Sequence, residues 1–166
     1  MTVVTVFVLV FAMARSASSV AIGPSGPGPK STAPVGPAGI TVSPLDQLNA
    51  RADRDQPQVE QLVGYWVPQV SSKMLGTVDA GREYSYADIL DNHEQWAMHY
   101  SPVLLLRSGD FGSFSLKGYW VTVVGSGYAT AAQANSWCDV QGIPANDCFA
   151  KRLSRSSSAA GNTVHR

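Results

Sequence analysis

Three short strings in the chain carry residue types that do chemistry in other settings, and each lacks a partner that the chemistry requires. His93-Glu94 opens like the zinc-protease helix HExxH, where two histidines one turn apart hold the metal and the glutamate acts as base. Position 97 is Ala, and the next histidine, His99, falls six residues on and so on another face. Asp110-Phe111-Gly112 spells the metal-binding triplet of protein kinases, but neither an HRD catalytic loop nor a VAIK strand lysine accompanies it. It reads as a turn beside a strand. Gly125-Ser126-Gly127 begins like a dinucleotide-binding fingerprint, yet Thr130 stands where the third glycine belongs, so it reads as a loop before a helix. A serine or cysteine nucleophile would have to draw on His93 or His99, and no GxSxG string supports one. No catalytic residue, metal-ligand set or cofactor is therefore assigned. A small secreted enzyme stays open as an alternative, and it requires a cleft joining His93 or His99 to Asp88, Asp91 or Glu94.

What is left is aromatic and polar chemistry suited to binding. Tyr65-Trp66 and Tyr119-Trp120 are adjacent pairs on strand-like runs, so within each pair one ring points to the core and the other to solvent or a partner. Trp and Tyr stack on sugar rings while offering a polar edge. Gln69, Ser71, Ser72, Thr122 and Arg107 interleave with them, and the expected ligand-binding set on an open sheet face is Trp66, Gln69, Ser71, Arg107, Trp120 and Thr122. The alternative is a solvated face without a ligand. Cys138 and Cys148 are separated by nine residues containing Gly142, Pro144 and Asn146. A disulfide pinning helix to strand suits that spacing and would contribute roughly 2 to 3 kcal/mol by loop entropy. Two reduced thiols in a cytosolic protein are the other reading.

These residues sit in an internal duplication. Tyr65-Trp66-Val67 recurs as Tyr119-Trp120-Val121, opening the strand-like runs YWVPQVSS and YWVTVVGS. Each run leads to a helix with its own start signal, Ser85-Tyr86-Ala87-Asp88 and Thr130-Ala131-Ala132-Gln133. On the first helix Ile89, Leu90, His93, Trp96, Ala97 and Tyr100 form one stripe; on the second Ala131, Ala134, Trp137 and Cys138 do so, with Gly142 as the stop. Further strands follow at Val103–Arg107 and Cys148–Leu153. The order β-α-β-β-α-β predicts an α+β fold of ferredoxin-like type, a four-stranded antiparallel sheet with both helices on one face, over residues 61–155.

The flanks have another character. Of 166 residues, seven of the ten prolines lie between Ile22 and Glu60, whereas all four tryptophans and all six tyrosines lie between Tyr65 and Trp137. Residues 22–60 accordingly read as a Pro/Gly-rich disordered linker, and 156–166 as a flexible tail. Thr2 to Ala14 is an uncharged apolar run followed by Ser19 and Ala21 at the −3 and −1 positions of a cleavage site, so 1–21 reads as a secretory signal. A remnant of a membrane anchor from a chain that starts further upstream is the alternative, and membrane contact is expected only through this segment. Twelve basic and twelve acidic residues cancel, so no general attraction to phosphate backbones exists and nucleic acid is not an expected partner.

Over residues 64–153 the strings Trp66-Val67-Pro68-Gln69-Val70-Ser71-Ser72-Lys73, Leu104-Leu105-Leu106-Arg107-Ser108-Gly109-Asp110-Phe111, Trp120-Val121-Thr122-Val123-Val124 and Trp137-Cys138-Asp139 through Asp147-Cys148-Phe149-Ala150-Lys151 resemble an extracytoplasmic domain of actinobacterial secreted and membrane proteins. That domain often stands at the C-terminus of membrane serine/threonine protein kinases, outside the membrane and after a Pro-rich linker. A weaker similarity, carried by Trp120-Val121-Thr122-Val123-Val124-Gly125, is to the sporulation-related (SPOR-like) domain, which binds peptidoglycan through its sheet. Together these imply an exported, non-catalytic binding or sensor module at the cell envelope, secreted or membrane-anchored, with cell-wall glycan or an envelope protein as partner. A detached extracytoplasmic part of a kinase is the alternative. Sheet edges in such a fold permit dimers without demanding them.

Overall fold

A computed structural model describes residues 42–166. The expected signal peptide or anchor remnant at 1–21, and residues 22–41 of the expected linker, lie outside the described residues.

Residues 44–60 correct the linker reading, because they form helix α1 (Pro44–Gln61). Ser43 caps it by accepting from the Asp46 backbone amide at 3.2 Å, and Pro44 occupies the first turn, where its missing N–H costs nothing. Leu48, Ala52, Asp55 and Val59, spaced four, three and four apart, are its buried residues. The helix is tertiary in origin: isolated, a polar helix of this length interrupted by Pro57 would be marginal.

Strands β1 (Trp66–Lys73), β4 (Val103–Arg107), β5 (Trp120–Val124), β6 (Phe149–Arg152) and β7 (Thr163–Val164) make one antiparallel sheet in the order β4-β5-β1-β6-β7. β2 (Val78–Asp79) and β3 (Arg82–Glu83) form a separate small hairpin. Helices α2 (Tyr86–His99) and α3 (Ala131–Val140) begin at Ser85 and Thr130, and both start with a complete capping box, as the paired signals predict. Gly142, just past α3, takes φ +67°, the left-handed conformation that ends the helix at no steric cost.

The sheet has five strands, not four. The fifth comes from the segment expected to be a flexible tail. The Lys151 ammonium donates to the Thr163 hydroxyl at 2.7 Å, the Asn135 amide donates to the Val164 carbonyl at 3.1 Å, and β7 pairs with β6. Further upstream the chain passes so close to Gly112 that a Cβ there would stand 2.6 Å from the Ser157 carbonyl oxygen. Asp110-Phe111-Gly112 is thus a structural turn, with Phe111 buried and a 3-10 turn at Ser108–Asp110.

Both sheet faces are covered. Alternation along β4 and β5 sends Leu104, Leu106, Val121 and Val123 to one side, where Val59 of α1, Leu62 just past its end, Phe111, Phe114 and Leu153 close over them. It sends Leu105, Trp120 and Val124 to the other, against Ile89 of α2 and Cys138 of α3. An open sheet face, expected from four strands and two helices, therefore does not exist here: α1 and the 108–119 connection occupy it.

α1 also closes the outer edge of β4. The Asp55 carboxylate accepts from the Leu105 backbone N–H at 2.7 Å and from Arg51 Nε at 2.9 Å, while Arg51 Nη2 donates to the Val103 carbonyl at 3.2 Å. Asp55 is 7% exposed, so removing its carboxylate strands a buried amide and unpairs Arg51. Asp55→Ala should destabilise the protein by about 3 kcal/mol, read as a fall in the urea midpoint. Arg54→Ala, at an exposed position of the same helix, should change it by less than about 0.5 kcal/mol.

Candidate functional site

The six residues expected to share a ligand-binding face do not share one. Trp120 is 8% exposed in the core beside Leu105 and Ile89, and Thr122 is 2% exposed beneath α2. Arg107 is spent on α1: Nη2 donates to the Asn49 carbonyl at 3.1 Å and to Asp53 at 2.8 Å, with the guanidinium over the Trp120 ring. Trp66 is half-buried at the start of β1, where its backbone exchanges hydrogen bonds with Tyr128. Gln69 and Ser71 end on opposite sides of the sheet. The register of β1 against β5 slips between them, so Val70 is an extra residue and the side-chain alternation resets. The physical reason for the correction is that strand alternation splits adjacent positions, and both resulting faces are packed.

The bulge has a consequence for the helix side. It brings Ser71 to α2, where its hydroxyl donates to Asn92 Oδ1 at 2.6 Å. Around this contact lies a cleft of about 370 Å³, between β1, the C-terminal half of α2 and the turn after α3. A volume of that size falls within the ordinary range of small-ligand sites, roughly 300 to 1,000 Å³. Trp96 in the last turn of α2 and Tyr100, the residue that caps its C-terminus, stack with centroids 5.8 Å apart; Trp137 meets Tyr100 edge-on at 5.1 Å. At the other end Lys73 bonds Asp79 at 2.5 Å and lies over the Tyr84 ring at 5.1 Å. Lys73 holds the Asp79 carboxyl below its ordinary range. The cleft thus combines half-buried aromatic rings with hydroxyl and amide groups, a mutually paired Lys73 and Asp79, and the carboxylate of Asp147, which suits a hydroxyl- or amide-rich ligand without negative charge.

This pairing of Trp96 with Tyr100 belongs to the apolar stripe of α2, where core packing and ligand contact carry the same spacing. The i, i+4 aromatic pair was the available signal for the site. Its exposure depends on the turn after α3, which the disulfide fixes: Cys138 and Cys148 are bonded, with Cα atoms 5.8 Å apart and both residues fully buried beside Ile143. The bridge fits an oxidising, extracytoplasmic compartment. No helix among the described residues is long and apolar enough to cross a membrane.

Neither histidine meets a carboxylate among the described hydrogen bonds and ion pairs. His93 is 1% exposed, its Nδ1 is 3.2 Å from the Thr122 hydroxyl, and its Nε2 has no partner among the described residues. Asp88 is committed to the Ser85 cap and to Arg82. His99, exposed, lines the cleft and packs edge-on against Tyr100. No group of three or more His, Cys, Asp or Glu residues among the described residues has metal-site geometry.

No family model, curated protein or solved structure matches this chain. The reading of the site therefore rests on its own geometry.

Burial lowers the His93 imidazole to about 4, the nearby Arg51 charge adding to the effect and Asp55 opposing it. An unfolded histidine takes up its proton near pH 6.5. Because the folded value is the lower one, acid favours the unfolded chain, and stability falls as pH drops from about 6.5 to about 4. The loss attributable to His93 should approach about 3 kcal/mol across that window. Urea unfolding at stepped pH checks this: His93→Leu should flatten the difference curve there, whatever its effect at neutral pH.

Proposed function

We propose that the protein is an exported, non-catalytic binding module that takes cell-wall glycan, or a peptide of the envelope, in the cleft beside Trp96 and Tyr100. The observation that carries this is the stacked pair of Trp96 and Tyr100 in a cleft that also presents hydroxyl, amide and carboxylate groups. Sugar rings and peptide planes both present a flat apolar face with hydrogen-bonding edges, and the cleft offers both rings and the polar groups of Ser71, Asn92, Lys73 and Asp79. The buried disulfide supports an extracytoplasmic address, as does the apolar run at Thr2 to Ala14.

The strand order β4-β5-β1-β6, with α2 and α3 against one face, supports a ferredoxin-like β-α-β-β-α-β unit. α1 and β7 are then additions that cover its two edges. The additions move the ligand from the sheet, where a SPOR-like module would hold it, to the rim of α2.

Incubating the full chain with isolated cell walls tests the proposal. Retention above a heat-denatured control is expected. Trp96→Ala and Tyr100→Ala should each lower it about tenfold or more, while Trp137→Phe, which keeps the ring supporting Tyr100, should not. Equal retention of wild type and both alanine variants would remove the cleft as the site. Tryptophan fluorescence that responds to wall-derived peptides but not to glycan strands would assign the same cleft to a peptide instead.

A further inference from the structure

On the opposite side of the sheet from that cleft, Lys151 presents a buried positive charge with no acid to balance it among the described residues. Its residue is 4% exposed on β6. Nζ donates to the Ser113 carbonyl at 2.6 Å and to the Thr163 hydroxyl at 2.7 Å, and it lies over the Phe114 ring at 4.4 Å. Those two acceptors leave one of the three ammonium N–H groups without a partner among the described residues. Each acidic ion pair among the described residues uses another base, and the charged neighbour that acts on Lys151 is a second cation, Lys117.

Buried charges are ordinarily paired, because desolvation without compensation is costly. Here burial, with Lys117 adding, lowers the ammonium to about 8, so it remains mostly protonated near neutrality. Lys151 lines a cavity of about 230 Å³ together with Gln69, Ser72, Tyr119 and Thr163, with Phe114 forming part of its apolar wall. Gln69 is itself 7% exposed and makes no side-chain hydrogen bond among the described residues.

We infer that this cavity binds the carboxylate of a small monoanionic ligand, with the Lys151 ammonium as counter-ion and Gln69, Ser72 and Tyr119 as further hydrogen-bonding groups. Of the two ammonium groups only that of Lys151 lines the cavity, Lys117 donating instead to the Phe111 carbonyl, and one facing charge favours a carboxylate over a phosphate dianion. The small volume admits a short acid or the end of a longer molecule. Two sources present that group, a free peptide C-terminus and a sugar acid.

Nuclear magnetic resonance titration of the full chain, isotopically labelled, distinguishes them and tests the site. The probes are acetyl-dialanine with a free C-terminus, the same compound as its C-terminal amide, and glucuronate. Saturable shifts at Phe114, Lys151 and Thr163 are expected with one or both acids and not with the amide. Lys151→Met should weaken binding about tenfold or more, as expected for loss of a charge-assisted hydrogen bond. Gln69→Ala, which leaves the ammonium and its two internal acceptors in place, should weaken it by a smaller factor. Where Lys151→Met does not fold, titration of the Lys151 side chain in the wild type decides: bound acid should raise the pH at which it loses its proton. Equal shifts from acid and amide, no shift from any probe, or an unchanged Lys151 titration in the presence of acid would overturn the assignment.

Discussion

The outer edge of β4 sets the terms for the rest of the molecule. A strand of consecutive apolar residues, Val103 to Leu106, cannot be left with one row of backbone groups bare, since that row would pair with any other chain that reached it. The Asp55 carboxylate and the Arg51 guanidinium cap Leu105 N–H and Val103 C=O from the side, which obliges α1 to run along the strand. Once there, α1 delivers Leu48 and Ala52 to one face of the sheet and Val59, with Leu62 just past its end, to the other. A buried ion pair is weak evidence for stability by itself. Its weight here comes from what it satisfies: a strand edge has few other ways of being both apolar and closed.

Closing both faces changes where a ligand can go. A four-stranded sheet with helices on one side offers its other side; this sheet does not, because Phe111, Phe114 and Leu153 cover the side opposite α2 and α3. Binding surfaces are pushed to the rims, and the bulge at Val70 decides which polar residues of β1 reach which rim. Ser71 turns to Asn92 and the aromatic cleft, while Gln69 and Ser72 line the cavity of Lys151. A strand without the extra residue would put Gln69 and Ser71 on the same side.

The duplicated half of the fold was legible because its signals are local. Capping boxes at Ser85 and Thr130, strand alternation, the stop at Gly142 and the cysteine pair each need only neighbouring residues to be read. α1 carried a local signal too: Ser43-Pro44-Leu45-Asp46 is a helix start, and Leu48, Ala52, Asp55 and Val59 recur at helical spacing. It was masked by proline and glycine upstream and by an aspartate in a buried position, whose partner, the Leu105 amide, is 50 residues away. The tail failed for a similar reason: Thr163 and Val164 are held by Lys151, Asn135 and β6, none of them adjacent in sequence. The expected site was half-legible. Adjacent Trp and Tyr residues must point opposite ways, but which ring is buried depends on what covers each face, and that is decided by α1.

Lys151 shows how far this dependence extends. On a bare edge its long side chain would reach solvent and the charge would carry no information. The 108–119 connection and β7 instead close around the amine, offering it one carbonyl and one hydroxyl but no carboxylate. A buried ammonium with no carboxylate partner among the described residues leaves a local positive charge beside the Phe114 ring, where electrostatic interactions are stronger than in bulk water. The two rims are therefore chemically unlike although they share β1. The α2 cleft pairs Lys73 with Asp79, keeps the Asp147 carboxylate on its rim, and offers rings and amides to groups without negative charge. The Lys151 cavity leaves its charge open. The sheet between them keeps the chemistry of one rim independent of the other.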